Sequence, residues 1–316
     1  MKAAVIREFG PPYVFHIENM PMPVIKEDEV LVKVHASSVN PIDWKTRKGN
    51  LKFILGSAFP IILGYDVSGE VVETGKRVKK FKKGDLVFSR LDRKFGGAYA
   101  EYAVGSESTF ALKPEKLSHE EAAAIPLAAL TALQGLRDLG KMKKDDKVLL
   151  IGAASGVGHF AVQIVNILGG ESWAVSSLRH QKLIDSLNPS HFIDYTREDY
   201  KQLDGQFDIV FDIVGTETFL TCKHLLRPKG IYITTLPRPK VLIHRAITMF
   251  VTQKKVKTFV MKSHGTDLEL LNKWMEEGKF RVNIDRIFPL DKIADAHQYS
   301  EEGHAEGKIV IKISGD

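Results

Sequence analysis

The stretch VLLIGAASGVGHFAVQIV (Val148–Val165) decides the fold. Its apolar start, Val148–Ile151, reads as a strand buried on both faces. Gly152–Gly158 is a turn made of glycine and small residues, and the residues after it have the apolar spacing of a helix. A small-residue turn lets the backbone approach a pyrophosphate closely, and the helix behind it presents N–H groups at its positive end. Ala153 and Ser155 stand where the strict G-x-G-x-x-G pattern has its first two glycines. Gly158 fills the third place, where helix and strand must pack tightly. Ser155, Gly156, Val157 and Gly158 are therefore candidate coenzyme contacts. A tight turn without a ligand is the competing reading; the strand before it, the helix after it and a second strand at the expected distance weigh against that.

Outward from this turn the chain alternates. SWAVSS, HFIDY, FDIVFDIVG and GIYITTL read as strands, and HQKLIDSLN and TETFLTCKHLLRPKG as helices, the last stopped by Gly230. Such alternation implies a doubly wound parallel sheet covered on both faces. The second strand distinguishes two coenzymes. A site for NADH ends this strand with an acid that accepts from the ribose 2′-hydroxyl. Here Ser172–Ser176 runs on into Ser177-Leu178-Arg179-His180-Gln181-Lys182, with Glu171 at the opposite end. Ser177 can donate to a phosphate, Arg179 offers a planar fork, and Lys182 follows one turn later. That is the composition of a 2′-phosphate pocket, so NADPH (or NADP+) is the expected coenzyme. Plain surface charge is the alternative for Arg179 and Lys182.

The first 115 residues have a different texture. EVLVKVHASSVN (Glu29–Asn40) and DVSGEVVETG (Asp66–Gly75) alternate apolar and polar residues as half-buried strands do, and short strands between Gly turns follow. SHEEAAAIPLAALTALQGL opens with a capping box, Ser118 and Glu121, and reads as one helix bent near Pro126. Past Met261 come two more helices and a closing strand, GKIVIKI. The expected architecture is an α/β chain, with residues 122–261 as a Rossmann domain inserted into a β-rich domain of 1–121 and 262–316.

Composition narrows the classes. The 316 residues carry 45 Lys and Arg against 39 Asp and Glu, a formal charge of +6, with the basic residues scattered rather than gathered in a stripe. No nucleic-acid partner is therefore expected. The single cysteine, Cys222, excludes an intramolecular disulfide and a Cys₄ zinc site. No signal peptide or membrane-length apolar run is evident, so a cytoplasmic protein without a membrane partner is expected. There is no H-x-x-x-H pair, no G-x-S-x-G elbow and no P-loop motif.

Several stretches along nearly the whole chain resemble the quinone oxidoreductase branch of the medium-chain dehydrogenase/reductase superfamily: SSVNPIDWK (Ser37–Lys45), LGYDVSGEVVETG (Leu63–Gly75), GGAYAEYA (Gly96–Ala103), AAIPLAALTALQ (Ala123–Gln134), GAASGVGHFAVQ (Gly152–Gln163), IDY (Ile193–Tyr195) and GHAEGKIV (Gly303–Val310). The resemblance implies a GroES-like, partly closed β-barrel domain beside the Rossmann domain, with the active site in the cleft between them. Zinc enzymes of the superfamily take a ligand His from G-H-E. Here Gly64-Tyr65-Asp66 stands in that place, and Asn40–Lys45 lacks the usual first Cys. The expectation is a zinc-free reductase that passes hydride to a quinone or an α,β-unsaturated carbonyl, whose developing oxyanion needs hydrogen-bond donors and a proton.

The resemblance further places Asn40, Lys45 and Tyr65 near the nicotinamide, with solvent as an alternative proton source. Their bland readings are a turn cap before Pro41, a surface lysine and barrel core. Thr131 resembles a contact to the nicotinamide ribose and Tyr195 one beside the adenosine phosphate. Val214 and Gly215 end a parallel strand, where ligands bind in such sheets. Lys308 is a candidate for the coenzyme phosphates or the cleft. Pocket walls are expected from Gly49–Phe59 and Pro237–Thr252. KTFVM (Lys257–Met261) is a candidate sheet edge that would pair across a twofold axis in a homodimer. The other class of function that stays open is an NADPH-binding protein with little turnover, in a regulatory, RNA-associated or membrane-associated role.

Overall fold

The computed structural model describes residues 1–236, 253–259 and 261–313, and the expected pocket wall Pro237–Thr252 lies outside them. The chain divides into two compact units, Met1–Leu130 with Lys262–Asp316, and Thr131–Met261.

The first unit opens with β1 (Lys2–Ile6), β2 (Phe15–Asn19) and β3 (Glu29–Val39). Next come α1 (Pro41–Arg47), α2 (Lys52–Leu55), β4 (Ile61–Ile62), β5 (Asp66–Thr74), β6 (Leu86–Arg90), β7 (Tyr102–Ser106), β8 (Phe110–Leu112) and α3 (His119–Ala123). α4 (Pro126–Gln134) carries the chain into the second unit. That unit holds β9 (Lys147–Ile151), α5 (Gly158–Ile167), β10 (Glu171–Ser176), α6 (Gln181–Leu187), β11 (His191–Asp194), β12 (Phe207–Asp212), α7 (Phe219–Cys222), β13 (Leu226–Thr234) and β14 (Lys255–Thr258). The chain then returns to the first unit for α8 (Gly265–Glu276), β15 (Ile284–Pro289), α9 (Ile293–Glu302) and β16 (Lys308–Lys312).

β3 is the spine of the first unit. It pairs antiparallel with β5, β7 and β16, inside a sheet ordered β15-β16-β3-β5-β6-β8. Because it has partners on both edges and cover on both faces, it is not the half-buried strand its alternation suggests. Val30, Leu31, Val32 and Val34 are all at most 5% exposed. Each such side chain contributes about 1.5–3 kcal/mol of burial free energy.

The second unit is a single parallel sheet ordered β11-β10-β9-β12-β13-β14. Val148–Ile151 of β9 is at most 4% exposed, as expected for a central strand between two helical layers. Among the described residues, β11 and β14 are its two edge strands.

Two local expectations are corrected. Pro126 starts a new helix and does not bend an old one: α3 closes at Ala123, capped by Ser118 and Glu121 as read from the sequence, and α4 begins at the proline. Proline lacks an N–H and is tolerated in a first turn, where that N–H has no helical partner. The stretch before Gly230 holds only the four-residue α7 and a 3₁₀ turn, Lys223–Leu225. Strand β13 already runs from Leu226, and its register against β12 shifts between Phe207 and Ile209. Pro228 cannot donate to a ladder and Lys229 adopts φ 70°, so the extra residues are taken up as an irregularity within the strand.

Candidate active site

In the second unit the carboxyl ends of β9, β10, β11 and β12 lie side by side. The loops that leave them carry nearly every residue expected to touch a coenzyme. The order is that of a doubly wound dinucleotide-binding sheet, whose ligands lie beyond the strand ends where the winding reverses.

After β9, Gly152 turns with φ 90°, and a Cβ there would lie 2.6 Å from the Val214 side chain. A Cβ on Gly158 would lie 2.1 Å from the Gly152 carbonyl oxygen, so the start of α5 touches the end of β9 backbone to backbone. Ser155 Oγ accepts from the Gly158 N–H at 3.1 Å. Only glycine makes this close cradle, and it fits the pyrophosphate of a dinucleotide: Ser155, Gly156, Val157 and Gly158 would hold it at the N-terminus of a ten-residue helix.

After β10, Ser177 precedes a 3₁₀ turn, Leu178–His180, and α6 follows. Arg179 and Lys182 are exposed. Arg179 Nε donates to Nε2 of the buried His180 ring at 2.8 Å. Glu171 stands at the far end of β10, engaged with Trp173, Lys147 and His191. Tyr195, just past β11, is 56% exposed.

Two carboxylates that were not singled out as site residues organise these loops. Asp194 Oδ1 accepts from the Leu178 N–H at 3.1 Å and from the Thr196 N–H and hydroxyl. Burial pushes this carboxyl up, but those hydrogen bonds outweigh it and hold it below the usual carboxylate range. Asp212, fully buried, accepts from the Gly215, Thr216 and Glu217 N–H groups and from the Tyr232 hydroxyl. It thereby fixes the turn that displays Val214, 43% exposed, and Gly215, φ 72°. The visible signal for both was an Asp closing an apolar strand. Thr131, on α4, is 6% exposed.

The first unit gathers its expected residues around a third carboxylate, Asp66. Its Oδ2 accepts from Ser38 Oγ at 2.6 Å and Asn40 Nδ2 at 2.8 Å, and its Oδ1 accepts from the Leu127 N–H at the start of α4. Lys308 Nζ donates to Asn40 Oδ1 at 2.6 Å and lies 3.6 Å from Asp66. At 3% exposed, the Lys308 ammonium is committed to this interior network. Burial lowers its pKa, with Asp66 and Asp43 pulling it back.

Asn40 also heads α1, where its N–H donates to Asp43 Oδ2. Tyr65 is 2% exposed and its hydroxyl donates to the Lys94 carbonyl at 2.7 Å. Burial, with Asp43 nearby, pushes that phenol up to about 12. Lys45 is half-buried, with its ammonium 5.2 Å from the Trp44 ring centre. In the segment Gly49–Phe59, Phe53 and Ile54 on α2 are 93% and 79% exposed. Among the described residues, no group of three or more His, Cys, Asp or Glu could hold a metal ion. None of their helices is long and apolar enough to cross a membrane.

A dinucleotide-type sheet joined to a β-rich unit with a central antiparallel spine defines a medium-chain dehydrogenase/reductase. The alcohol dehydrogenase GroES-like domain family matches residues 26–115, and the zinc-binding dehydrogenase family matches residues 187–311. The chain is 37% identical to a 2-methylene-furan-3-one reductase of Solanum lycopersicum, over 98% of this chain and 79% of that one. It is 34% identical to a chloroplast envelope quinone oxidoreductase homolog of Arabidopsis thaliana, over 94% and 93%. The solved quinone oxidoreductase from Coxiella burnetii superposes with a TM-score of 0.92 at 34% identity, covering 99% of both chains. The chain belongs to the quinone oxidoreductase branch of the medium-chain dehydrogenase/reductase superfamily and is an oxidoreductase.

Proposed function

We propose that this protein is a zinc-independent, NADPH-dependent reductase of quinones and α,β-unsaturated carbonyls. The observation that carries the reading is the loop after β10: Ser177, Arg179 and Lys182 follow the strand, and no acid ends it. The relatives named above as reducing a furanone and a quinone support the choice of acceptor. The second unit, Thr131–Met261, would hold the coenzyme and the first would form the catalytic domain; the boundary expected at 121/122 falls inside the first unit.

When bound, NADPH supplies hydride to an electron-poor carbon of the acceptor. The chain's own groups do the rest. Ser155–Gly158 receives the pyrophosphate, Ser177, Arg179 and Lys182 the 2′-phosphate, Tyr195 packs beside the adenosine phosphate, and Thr131, Val214 and Gly215 border the nicotinamide half. Asn40, oriented by Asp66 and Lys308, and Tyr65 shape the reacting end. Because the Tyr65 hydroxyl already donates to a carbonyl and is a weakened acid, proton delivery to the developing oxyanion falls to Lys45 or to solvent. KTFVM (Lys257–Met261), which overlaps β14 at Lys257 and Thr258, supports pairing across a twofold axis, so a homodimer is proposed; a light-scattering mass of one chain would refute it. With one cysteine in the sequence, a reducing compartment such as the cytoplasm suits the chain.

The test is loss of 340 nm absorbance with NADPH and, separately, NADH, against 9,10-phenanthrenequinone and a short-chain enone. Acceptor-dependent loss should be much faster with NADPH, and Arg179→Ala should abolish that preference. Tight NADPH binding without consumption by either acceptor would refute the reductase reading in favour of a binding protein.

A further inference from the structure

We infer that Asp194 is a positioning residue for coenzyme choice: its carboxylate holds the loop after β10 in the shape that presents Ser177 and Arg179 to a 2′-phosphate. The inference rests on the coenzyme reading above and goes beyond it, since Asp194 would touch no part of the coenzyme.

Asp194 ends β11 directly opposite Ser176, the last residue of β10. The two strand ends are tied in both directions. The Tyr195 N–H donates to the Ser176 carbonyl at 3.2 Å, and the Leu178 N–H donates back to Asp194 Oδ1 at 3.1 Å. The same oxygen takes the Thr196 N–H at 3.1 Å and the Thr196 hydroxyl at 2.7 Å, a local Asx turn that sets the direction of the carboxylate. Arg197 Nε lies 3.6 Å from the other oxygen. At 5% exposed, the Asp194 side chain faces this loop and not solvent.

Leu178 lies between the two residues assigned to the phosphate. Its N–H is the point at which the loop is anchored to the neighbouring strand, and Arg179 is then docked on the buried His180 ring. A charge-assisted bond to a backbone N–H is among the stronger hydrogen bonds, and losing its acceptor strands a donor. With that bond gone, Ser177 and Arg179 lose their common geometry. NADH has no 2′-phosphate to be affected. The consequence is selective for one coenzyme, which a general loss of folding would not be.

The experiment measures KM and kcat for NADPH and NADH at saturating acceptor, and both dissociation constants by fluorescence, in four variants. Asp194→Ala should raise KM and Kd for NADPH about tenfold, from loss of one charged hydrogen bond, and those for NADH by at most about twofold, with the effect in KM rather than kcat. Asp194→Asn keeps an acceptor oxygen and should stay near the parent. Leu178→Pro tests the bond from its other end. Leu178 is the first residue of its 3₁₀ turn, where proline fits, and Ser177 before it is extended, φ −82° and ψ 147°, as a residue before proline should be. This variant should reproduce the NADPH-selective loss, and it decides the matter alone if Asp194→Ala fails to fold. Equal losses with both coenzymes, or no loss in either variant while Arg179→Ala abolishes the preference, would overturn the role of Asp194. If Arg179→Ala itself leaves the preference intact, the phosphate-pocket reading falls and this inference falls with it.

Discussion

Asp43→Asn should make the first unit more stable at neutral and alkaline pH and flatten its pH dependence. Asp43 is fully buried at the start of α1, where its Oδ2 accepts from the Asn40 N–H. It faces Asp66, Lys308 and Tyr99. With both carboxylates ionised, two buried negative charges share one ammonium. Burial, with Asp66 adding to it against the Asn40 hydrogen bond and Lys308, pushes the Asp43 carboxyl from 3.8 up to about 7. The folded state therefore takes up this proton before the unfolded chain does. Its stabilising contribution is complete below about pH 4, declines as pH rises toward 7, and is absent above that. At 1.36 kcal/mol per unit, the swing is about 4 kcal/mol at most, and structural relaxation around the ionised group reduces it to about 2–4 kcal/mol. Asparagine keeps the acceptor and removes the charge, so the variant should gain about that much above pH 7 and nothing near pH 4. Urea unfolding from pH 4.5 to 8.5 measures this. A Trp173→Phe background leaves Trp44 and Trp274 as reporters, both in the first unit. Parallel stability profiles for parent and variant would refute the reasoning.

Three further outcomes are expected. Gly158→Ala places a methyl 2.1 Å from the Gly152 carbonyl, so the cradle must open; coenzyme Kd should rise at least tenfold for NADPH and NADH alike, and unchanged titrations would remove the cradle from the site. Asp212→Ala leaves the Gly215, Thr216 and Glu217 N–H groups without their acceptor, and both the affinity for NADPH and kcat should fall, whereas Asp212→Asn should retain part of each; intact kinetics in Asp212→Ala would show that the turn needs no clamp. Phe53→Ala with Ile54→Ala removes two exposed apolar side chains from the expected pocket wall, and KM for phenanthrenequinone should rise about tenfold while KM for NADPH stays put; an unmoved quinone KM would exclude that wall.

What the sequence disclosed followed from how local each constraint is. The cradle was legible because close backbone contact demands glycine, and Gly158 sits where only glycine fits. Strand β9 was legible from an unbroken apolar run. Strand β3 was misjudged in exposure, because polar residues such as Ser37 and Ser38 read as solvent-facing, yet both donate to Asp66 inside the unit. Ser37 donates to its carbonyl and Ser38 to its carboxylate. The short α7 was misjudged because Leu225 and Leu226 continue a helical apolar pattern, and only pairing with β12 claims Leu226 for strand β13. The interior partners of Lys308, Asn40 and Asp66, were not legible because they are more than two hundred residues away in the chain. No periodicity records such a pairing.

Asp194 and Asp212 each close a parallel strand, which from sequence alone is also where a ribose-binding acid belongs. Their neighbours decide between the two roles. A carboxylate has about four acceptor sites. Asp212 fills them with three backbone N–H groups and a tyrosine hydroxyl, and Asp194 gives one oxygen to three donors and turns the other toward Arg197. Asp212 has no acceptor capacity left for a diol, and Asp194 Oδ2, buried beside Arg197 without a hydrogen bond, is not exposed to one. Each is spent on its own loop, and the end of β10, where a ribose acid would have to stand, carries Ser176 and Ser177 instead. The second unit thus keeps its negative charge in the scaffold and leaves serines at the end of β10, which supports the proposed preference for a phosphorylated ribose.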